Sequence, residues 1–198
     1  MPRQASDPVW QSPRSQQAAI RAGILVFVGY YLGARVGFAL TFQPHPISVF
    51  WPPNSVLLAA LLLTPPRIWW FLLLAAFPAH LIAELQFRVP LGMVVCWFIS
   101  NSCDAIIGAG LTRYLLRGAL RFDILRSVAV FCMCGAFLGP FLSSFADAGF
   151  VAMNGWGEGS YWQNWRMRFF SNVLTALTLT SGKPTAPSGC SIWSLLLS

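Results

Sequence analysis

The sequence predicts an all-α membrane protein, a polytopic transmembrane helical bundle of about six spans, on three observations. Hydrophobic residues make up 56% of the chain and charged residues only 10%, and the mean hydropathy is +0.61. A soluble globular domain of this size carries much more polar surface. The length of 198 residues suits about five to seven spans, because one span takes about 20 apolar residues.

The chain opens with a polar stretch, residues 1–17, that contains prolines and lacks periodicity. We expect a disordered cytoplasmic lead there. It is not a secretory signal, because the apolar run that follows continues to Phe42 and is longer than a signal peptide's apolar region.

The transmembrane helical bundle is predicted over residues 18–180, with proline-containing breaks between its first four spans. The spans are predicted at residues 18–42, 47–63, 68–87, 91–111 and 127–148, with a sixth, apolar but short, from about residue 165 to 180. The basic linker 113–126 is expected to form an amphipathic interfacial helix. The loop 149–163 is expected to fold at the membrane surface, and residues 181–198 form an atypical tail.

Basic residues set the predicted orientation. The net charge of +7 does not indicate nucleic acid, because the basic residues form no stripe interleaved with aromatics. With the amino terminus in the cytoplasm, nine of the 13 Lys and Arg residues lie inside, three outside and Arg35 within the first span. The inside set is Arg3, Arg14, Arg21, Arg67, Arg113, Arg117, Arg121, Arg126 and Lys183, and the outside set is Arg88, Arg166 and Arg168. The positive-inside rule therefore places both termini in the cytoplasm.

Motifs of catalysis and metal binding are missing from the sequence. There is no G-x-S-x-G, P-loop or G-x-G-x-x-G, and two histidines are too few for an ordinary zinc site. The cysteines fit small apolar helix residues: Cys96, Cys103, Cys132 and Cys134 lie in apolar runs and Cys190 in the tail. We therefore predict no enzyme activity, no metal and no cofactor.

Polar side chains fall at one level of the predicted bundle, in its outward-facing half. Each charged group at bilayer depth costs about 2.5–3.5 kcal/mol and needs a partner or a use. The predicted ligand-binding set is Arg35, Trp51, Asn54, His80, Glu84, Asp147 and Arg166. Two interpretations remain open. In the first, the groups pair internally, His80 with Glu84, Glu84 with Arg88, and Arg35 with a carboxylate. In the second, they form a pocket open to the outside, where Arg35 or Arg166 receives an anionic group.

Other polar and small residues are predicted to pack helices. Asn101 and Asp104 lie three apart in the fourth span and, with Asn172, suit interhelical hydrogen bonds rather than a proton relay. Gly29, Gly33 and Gly37 make a small-residue ladder in the first span. The ladder is expected to pack within the bundle, with homodimerisation as the alternative.

Several separated stretches resemble the bacterial membrane-associated sensor domain family, first class of the MASE type. They are Tyr31–Arg35 with Phe38, Phe50–Ser55 (FWPPNS), Asn101–Ala109 (NSCDAIIGA) and Tyr161–Leu174 (YWQNWRMRFFSNVL). The resemblance covers about residues 20 to 180. The family usually has small residues where this chain has Asn54 and Ser55, and its helix continues into further spans after the position of Thr180. We therefore expect the tail to arise from truncation or a frameshift.

The resemblance implies a sensory input domain of a bacterial signal-transduction protein, with about eight or more spans followed by a histidine kinase or diguanylate cyclase output. It also implies a multi-pass protein of the bacterial inner membrane. Its expected partners are the lipid bilayer and a small-molecule or membrane-borne stimulus, without nucleic acid. The alternative is a small transport component that binds a solute between its helices. A membrane-embedded transferase or protease lacks its catalytic residues here.

Overall fold

The computed structural model describes residues 13–41, 48–116, 124–156 and 159–180, and every regular element in these ranges is helical. The α-helices are α1 (Pro13–Ala39), α2 (Pro52–Leu63), α3 (Trp69–Gln86), α4 (Leu91–Leu116), α5 (Leu125–Phe131), α6 (Gly139–Asn154) and α7 (Tyr161–Thr175). A 3₁₀ turn, Pro66–Ile68, leads into α3. A π-helical segment, Cys132–Leu138, joins α5 to α6, and a second, Ala176–Thr180, continues α7. The described residues thus contain six helical runs, as the sequence predicted.

Four of these runs are long and apolar enough to cross a membrane: Gln16–Ala39, Pro66–Gln86, Leu91–Leu116 and Leu125–Asn154. Helix α2 has 12 residues, which is about 18 Å at 1.5 Å per residue, shorter than the roughly 30 Å hydrocarbon core. The α7 run is long enough, but its first half is polar. The all-α membrane bundle is confirmed.

Several predicted boundaries were wrong. Helix α6 continues to Asn154 instead of ending at Ala148, because its stop is Gly155, which adopts the left-handed conformation (φ 59°) at the helix end. The predicted surface loop 149–163 is therefore mostly helical. Helix α7 begins at Tyr161, four residues early, since Ser160 and Gln163 form a capping box there. Helix α2 begins at Pro52, not Ile47, with its prolines in the first turn.

Some predictions fall partly or wholly outside the described residues. The tail 181–198 and the middle of the linker, 117–123, lie outside them, as does the lead up to residue 12. Helix α1 already begins at Pro13, within the predicted lead, and α4 runs to Leu116, into the predicted linker.

Consecutive helical runs are antiparallel. Helix α1 packs against α2 and α3, α4 against α2 and α6, and α6 against α7. We call one end of the bundle the Arg35 end; it holds the last residues of α1, α3 and α6 and the first residues of α2, α4 and α7. The other is the Arg113 end, where the Arg113 guanidinium donates to the carbonyls of Leu62 and Thr64 at 3.0 Å each. That contact satisfies orphan carbonyls at the end of α2.

The glycine ladder on α1 faces α2. A Cβ at Gly33 would lie 3.1 Å from Pro52 Cβ and 3.3 Å from the backbone nitrogen of Pro53, and one at Gly37 would meet the Trp51 ring. The ladder therefore lets α1 approach the start of α2 closely within one chain, and it holds Trp51 in its buried position.

Candidate functional site

Three buried carboxyl side chains lie on three of the helical runs that are long and apolar enough to cross a membrane: Glu84 on α3, Asp104 on α4 and Asp147 on α6. They are half of the six acidic residues in the chain. Among the described residues the one buried Lys or Arg is Arg168 on α7, which is paired with Asp147. We call these four residues, together with Tyr30, Asn54, His80, Ser100 and Asn101, the buried polar cluster.

Asp147 and Arg168 form the ion pair of this cluster. Arg168 Nε lies 3.2 Å from Asp147 Oδ2, and Nη2 donates a long hydrogen bond of 3.4 Å to Oδ1. The Ser100 hydroxyl donates to Asp147 Oδ1 at 2.6 Å, which links α4 to the pair. The guanidinium also lies over the Trp97 ring, 4.9 Å from its centroid. Neither Nε nor Oδ2 has a well-aligned hydrogen bond, so the pair is close but not bidentate.

A directional hydrogen-bond chain links α1, α3 and α4. His80 Nε2 lies 2.9 Å from the carbonyl oxygen of Val94, which can only accept, so the proton of a neutral ring sits on Nε2. His80 Nδ1 then accepts from the Tyr30 hydroxyl at 3.1 Å. The Tyr30 oxygen in turn accepts from Asn101 Nδ2 at 3.2 Å. The chain therefore fixes one tautomer of His80 and joins three helices.

Glu84 is placed beside this chain but not bonded into it. Its side chain is 1% exposed, and among the described residues neither carboxyl oxygen has a hydrogen-bond donor. His80 Nδ1 lies 3.7 Å from Glu84 Oε1, and that nitrogen already accepts from Tyr30. The predicted Glu84–Arg88 pair does not form, since Arg88 lies beyond the end of α3 with φ 59° and is exposed. A buried carboxyl without a donor is costly, so Glu84 is poised to accept a new partner.

Asp104 lies at a close approach of α4 and α6. Asn54 Nδ2, on α2, donates to Asp104 Oδ2 at 2.9 Å. On the other side a Cβ added at Gly139 would lie 2.8 Å from Asp104 Oδ1, so only glycine fits there. Asn101 and Asp104 thus make interhelical hydrogen bonds, whereas the buried amide of Asn172 has no hydrogen-bond partner.

The remaining predicted ligand-binding residues lie elsewhere. Arg35 is exposed near the Arg35 end, where its Nη1 donates to Gln86 Oε1 at 2.9 Å and its guanidinium lies 5.6 Å from the Phe87 ring centroid. Among the described residues Arg35 does not pair with a carboxylate, as one interpretation expected, and Gln86 is its partner instead. Trp51 is buried, and its backbone N–H donates to Thr175 Oγ1 at 2.9 Å. Arg166 is exposed on α7 and does not join the cluster.

Sequence reasoning missed Arg168, Tyr30 and Ser100 as members of the cluster. Arg168 was placed with Arg166 at the outer opening of the last span and was left out of the predicted ligand-binding set. The helical spacing could have indicated that Arg168 faces the bundle. Arg166 and Arg168 are about 200° apart around α7, so they cannot share a face, and one of them must point inward if the other points outward. Among the described residues, no group of three His, Cys, Asp or Glu side chains could hold a metal ion.

Comparison with known families agrees with this architecture. Residues 22–181 match the model of the MASE1 family, which is most of the chain. The chain belongs to the MASE1 family. MASE1 is a family of membrane sensory domains typical of signalling proteins, so this chain is a multi-pass membrane protein of sensory type. No curated protein and no solved structure matches the chain.

Proposed function

We propose that this MASE1 bundle is the sensory input domain of a bacterial signal-transduction protein of the histidine kinase or diguanylate cyclase type. In this proposal it lies in the inner membrane with both termini in the cytoplasm, and it responds to a small-molecule or membrane-borne stimulus. Family membership and the six helical runs support the sensory role. The excess of basic residues on one predicted side supports the orientation.

The observation that carries the mechanism is the unequal pairing of two buried acids on different helices. Arg168 on α7 is paired with Asp147 on α6, while among the described residues Glu84 on α3 has two oxygens without a donor. In this proposal Glu84 and Asp147 compete for the same guanidinium.

Such competition supplies what a sensor needs. A stimulus can shift an equilibrium only if two arrangements differ by a few kcal/mol and the stimulus favours one of them. Here one arrangement has α7 tied to α6 through Asp147. In the other, Arg168 is drawn toward Glu84, which would turn α7 relative to α6 and change the position of its last residues at the Arg113 end. Movement at that end would reach an output domain.

The experiment uses two isosteric variants that each remove one carboxylate charge. The chain is fused to a reporter kinase or cyclase domain, and basal output is measured without any added stimulus. Glu84→Gln removes the competitor and should hold the Asp147–Arg168 arrangement. Asp147→Asn removes the present partner and should favour the other. We expect the two variants to shift basal output in opposite directions, each about threefold, which corresponds to a bias of about 0.65 kcal/mol.

Equal shifts of both variants in the same direction, at matched membrane levels, would refute the competition. The transport alternative is tested on the same cells. Accumulation of a solute that depends on the chain, with an attached output domain unaffected by either variant, would favour a transport component over a sensor.

A further inference from the structure

A surface groove separate from the buried polar cluster runs along α7 at the Arg35 end of the bundle. It has a volume of about 290 Å³ and lies between α7 and the segment that precedes α2. Its walls are Ser48, Val49, Arg166, Met167, Phe170, Ser171 and Leu174. The volume is near the lower limit of the roughly 300–1,000 Å³ of small-molecule pockets.

The groove is apolar along most of its length and cationic at one end. Phe170 is 62% exposed, and Val49 and Leu174 are each 50% exposed. Arg166 is also exposed, and within the described ranges it has neither an ion pair nor a hydrogen bond. Arg168, two residues later, differs because it forms an ion pair with Asp147 inside the bundle.

The cationic and apolar groups are ordered along the axis of α7. Arg166, Phe170 and Leu174 are spaced four residues apart, so they form one stripe on α7 about 12 Å long. Arg166 is the member closest to the start of α7, where the exposed Trp162 suits the membrane interface. The cation therefore lies toward the headgroup level, and the apolar members lie deeper.

We propose that this groove binds one anionic phospholipid, with its phosphate on the Arg166 guanidinium and the start of an acyl chain along Phe170 and Leu174. The charge is complementary, because the Arg166 guanidinium is exposed and has no acid beside it among the described residues, and a guanidinium binds phosphate well. The polarity is also complementary, because the cationic and apolar ends are ordered as in a lipid of the adjacent leaflet.

A second copy of the chain fits the groove less well. A two-fold symmetric contact through this stripe would bring the same patch of both copies together, and with it both Arg166 side chains. Two like charges would then face each other, which disfavours such a contact. The lipid phosphate brings the opposite charge to the same place.

The test measures lipid retained by the purified, delipidated full chain in a neutral detergent. Phosphatidylglycerol and phosphatidylcholine are titrated separately, and bound lipid is counted by native mass spectrometry. Three variants are compared. Arg166→Gln removes the cation, Val49→Trp fills the groove with the charge kept, and Arg88→Gln is the matched control, an exposed arginine at the same end that does not line the groove.

We expect one phosphatidylglycerol to bind at least tenfold more tightly than phosphatidylcholine. Arg166→Gln and Val49→Trp should each weaken it about tenfold, and Arg88→Gln should change it less than twofold. Equal weakening by Arg88→Gln would show a diffuse surface charge and would overturn the site. So would unchanged binding in Arg166→Gln, or in a folded Val49→Trp. Loss of a dimer in Val49→Trp without loss of lipid would instead assign the groove to a second copy.

Discussion

Arg168 on α7 lies 3.2 Å from Asp147 on α6, and both side chains are at most 5% exposed. Two charges buried in a bundle stabilise it only while both are present, since removal of one leaves the other without compensation. In this chain the Ser100 hydroxyl adds a 2.6 Å hydrogen bond to the same carboxylate. The pair therefore joins α4, α6 and α7.

Loss of the Arg168 charge should destabilise the bundle strongly. We expect Arg168→Gln to lower the free energy of unfolding by about 3 kcal/mol, because Asp147 is left buried without its cation. The double variant Asp147→Asn with Arg168→Gln should recover about 1–2 kcal/mol of this loss. Unfolding in mixed detergent micelles, followed by tryptophan fluorescence, measures both. Strict additivity of the two single variants would show that the pair carries no coupling energy.

Removal of the Tyr30 hydroxyl should break the hydrogen-bond chain that joins α1, α3 and α4. Tyr30→Phe leaves His80 Nδ1 without its donor and Asn101 Nδ2 without its acceptor. We expect a loss of about 1–2 kcal/mol in the free energy of unfolding. Tyr31→Phe is the matched control, because the Tyr31 hydroxyl donates to Gln86 at an exposed site, and it should cost less than about 0.5 kcal/mol. Equal losses in the two variants would argue against a stabilising role of the buried chain.

The sequence was sufficient for the helical class and for the approximate position of each run, because hydropathy and proline breaks act locally. It also named six of the nine members of the buried polar cluster, since charged and polar groups are rare in apolar spans. It did not predict which of them pair. Pairing depends on the rotation and depth of each helix, which is why Arg35 rather than Arg168 was assigned to a carboxylate.

Helix ends were less predictable than helix positions. The capping box of Ser160 and Gln163 and the left-handed Gly155 decide where α7 begins and α6 ends. Both signals are present in the sequence, but hydropathy outweighs them when spans are drawn from apolar length alone. The close approach of Gly139 to Asp104 could not be predicted from the sequence either, because it depends on how α4 and α6 are placed in space.

The glycine ladder gives a test of the α1–α2 contact. Gly33→Ala places a Cβ 3.1 Å from Pro52 Cβ and 3.3 Å from the Pro53 backbone, which cannot turn away as a side-chain end can. We expect a loss of about 1–3 kcal/mol in the free energy of unfolding. Gly110→Ala is the control on α4, since nothing lies within 4 Å of its added Cβ. It should be neutral or stabilising by up to about 1 kcal/mol. A loss in Gly110→Ala as large as in Gly33→Ala would mean that the close approach is not the cause.

The predicted orientation places the Arg113 end of the bundle in the cytoplasm and the Arg35 end on the outer side of the membrane. Met153 is 82% exposed at the Arg35 end, and Tyr114 is 74% exposed toward the Arg113 end. In a chain whose native cysteines are replaced by serine or alanine, Met153→Cys should react with a membrane-impermeant maleimide in intact spheroplasts. Tyr114→Cys should react only after permeabilisation, because the basic residues are expected to hold the Arg113 end in the cytoplasm. The reverse pattern would invert the topology, and Arg166 with its groove would then face lipids of the cytoplasmic leaflet.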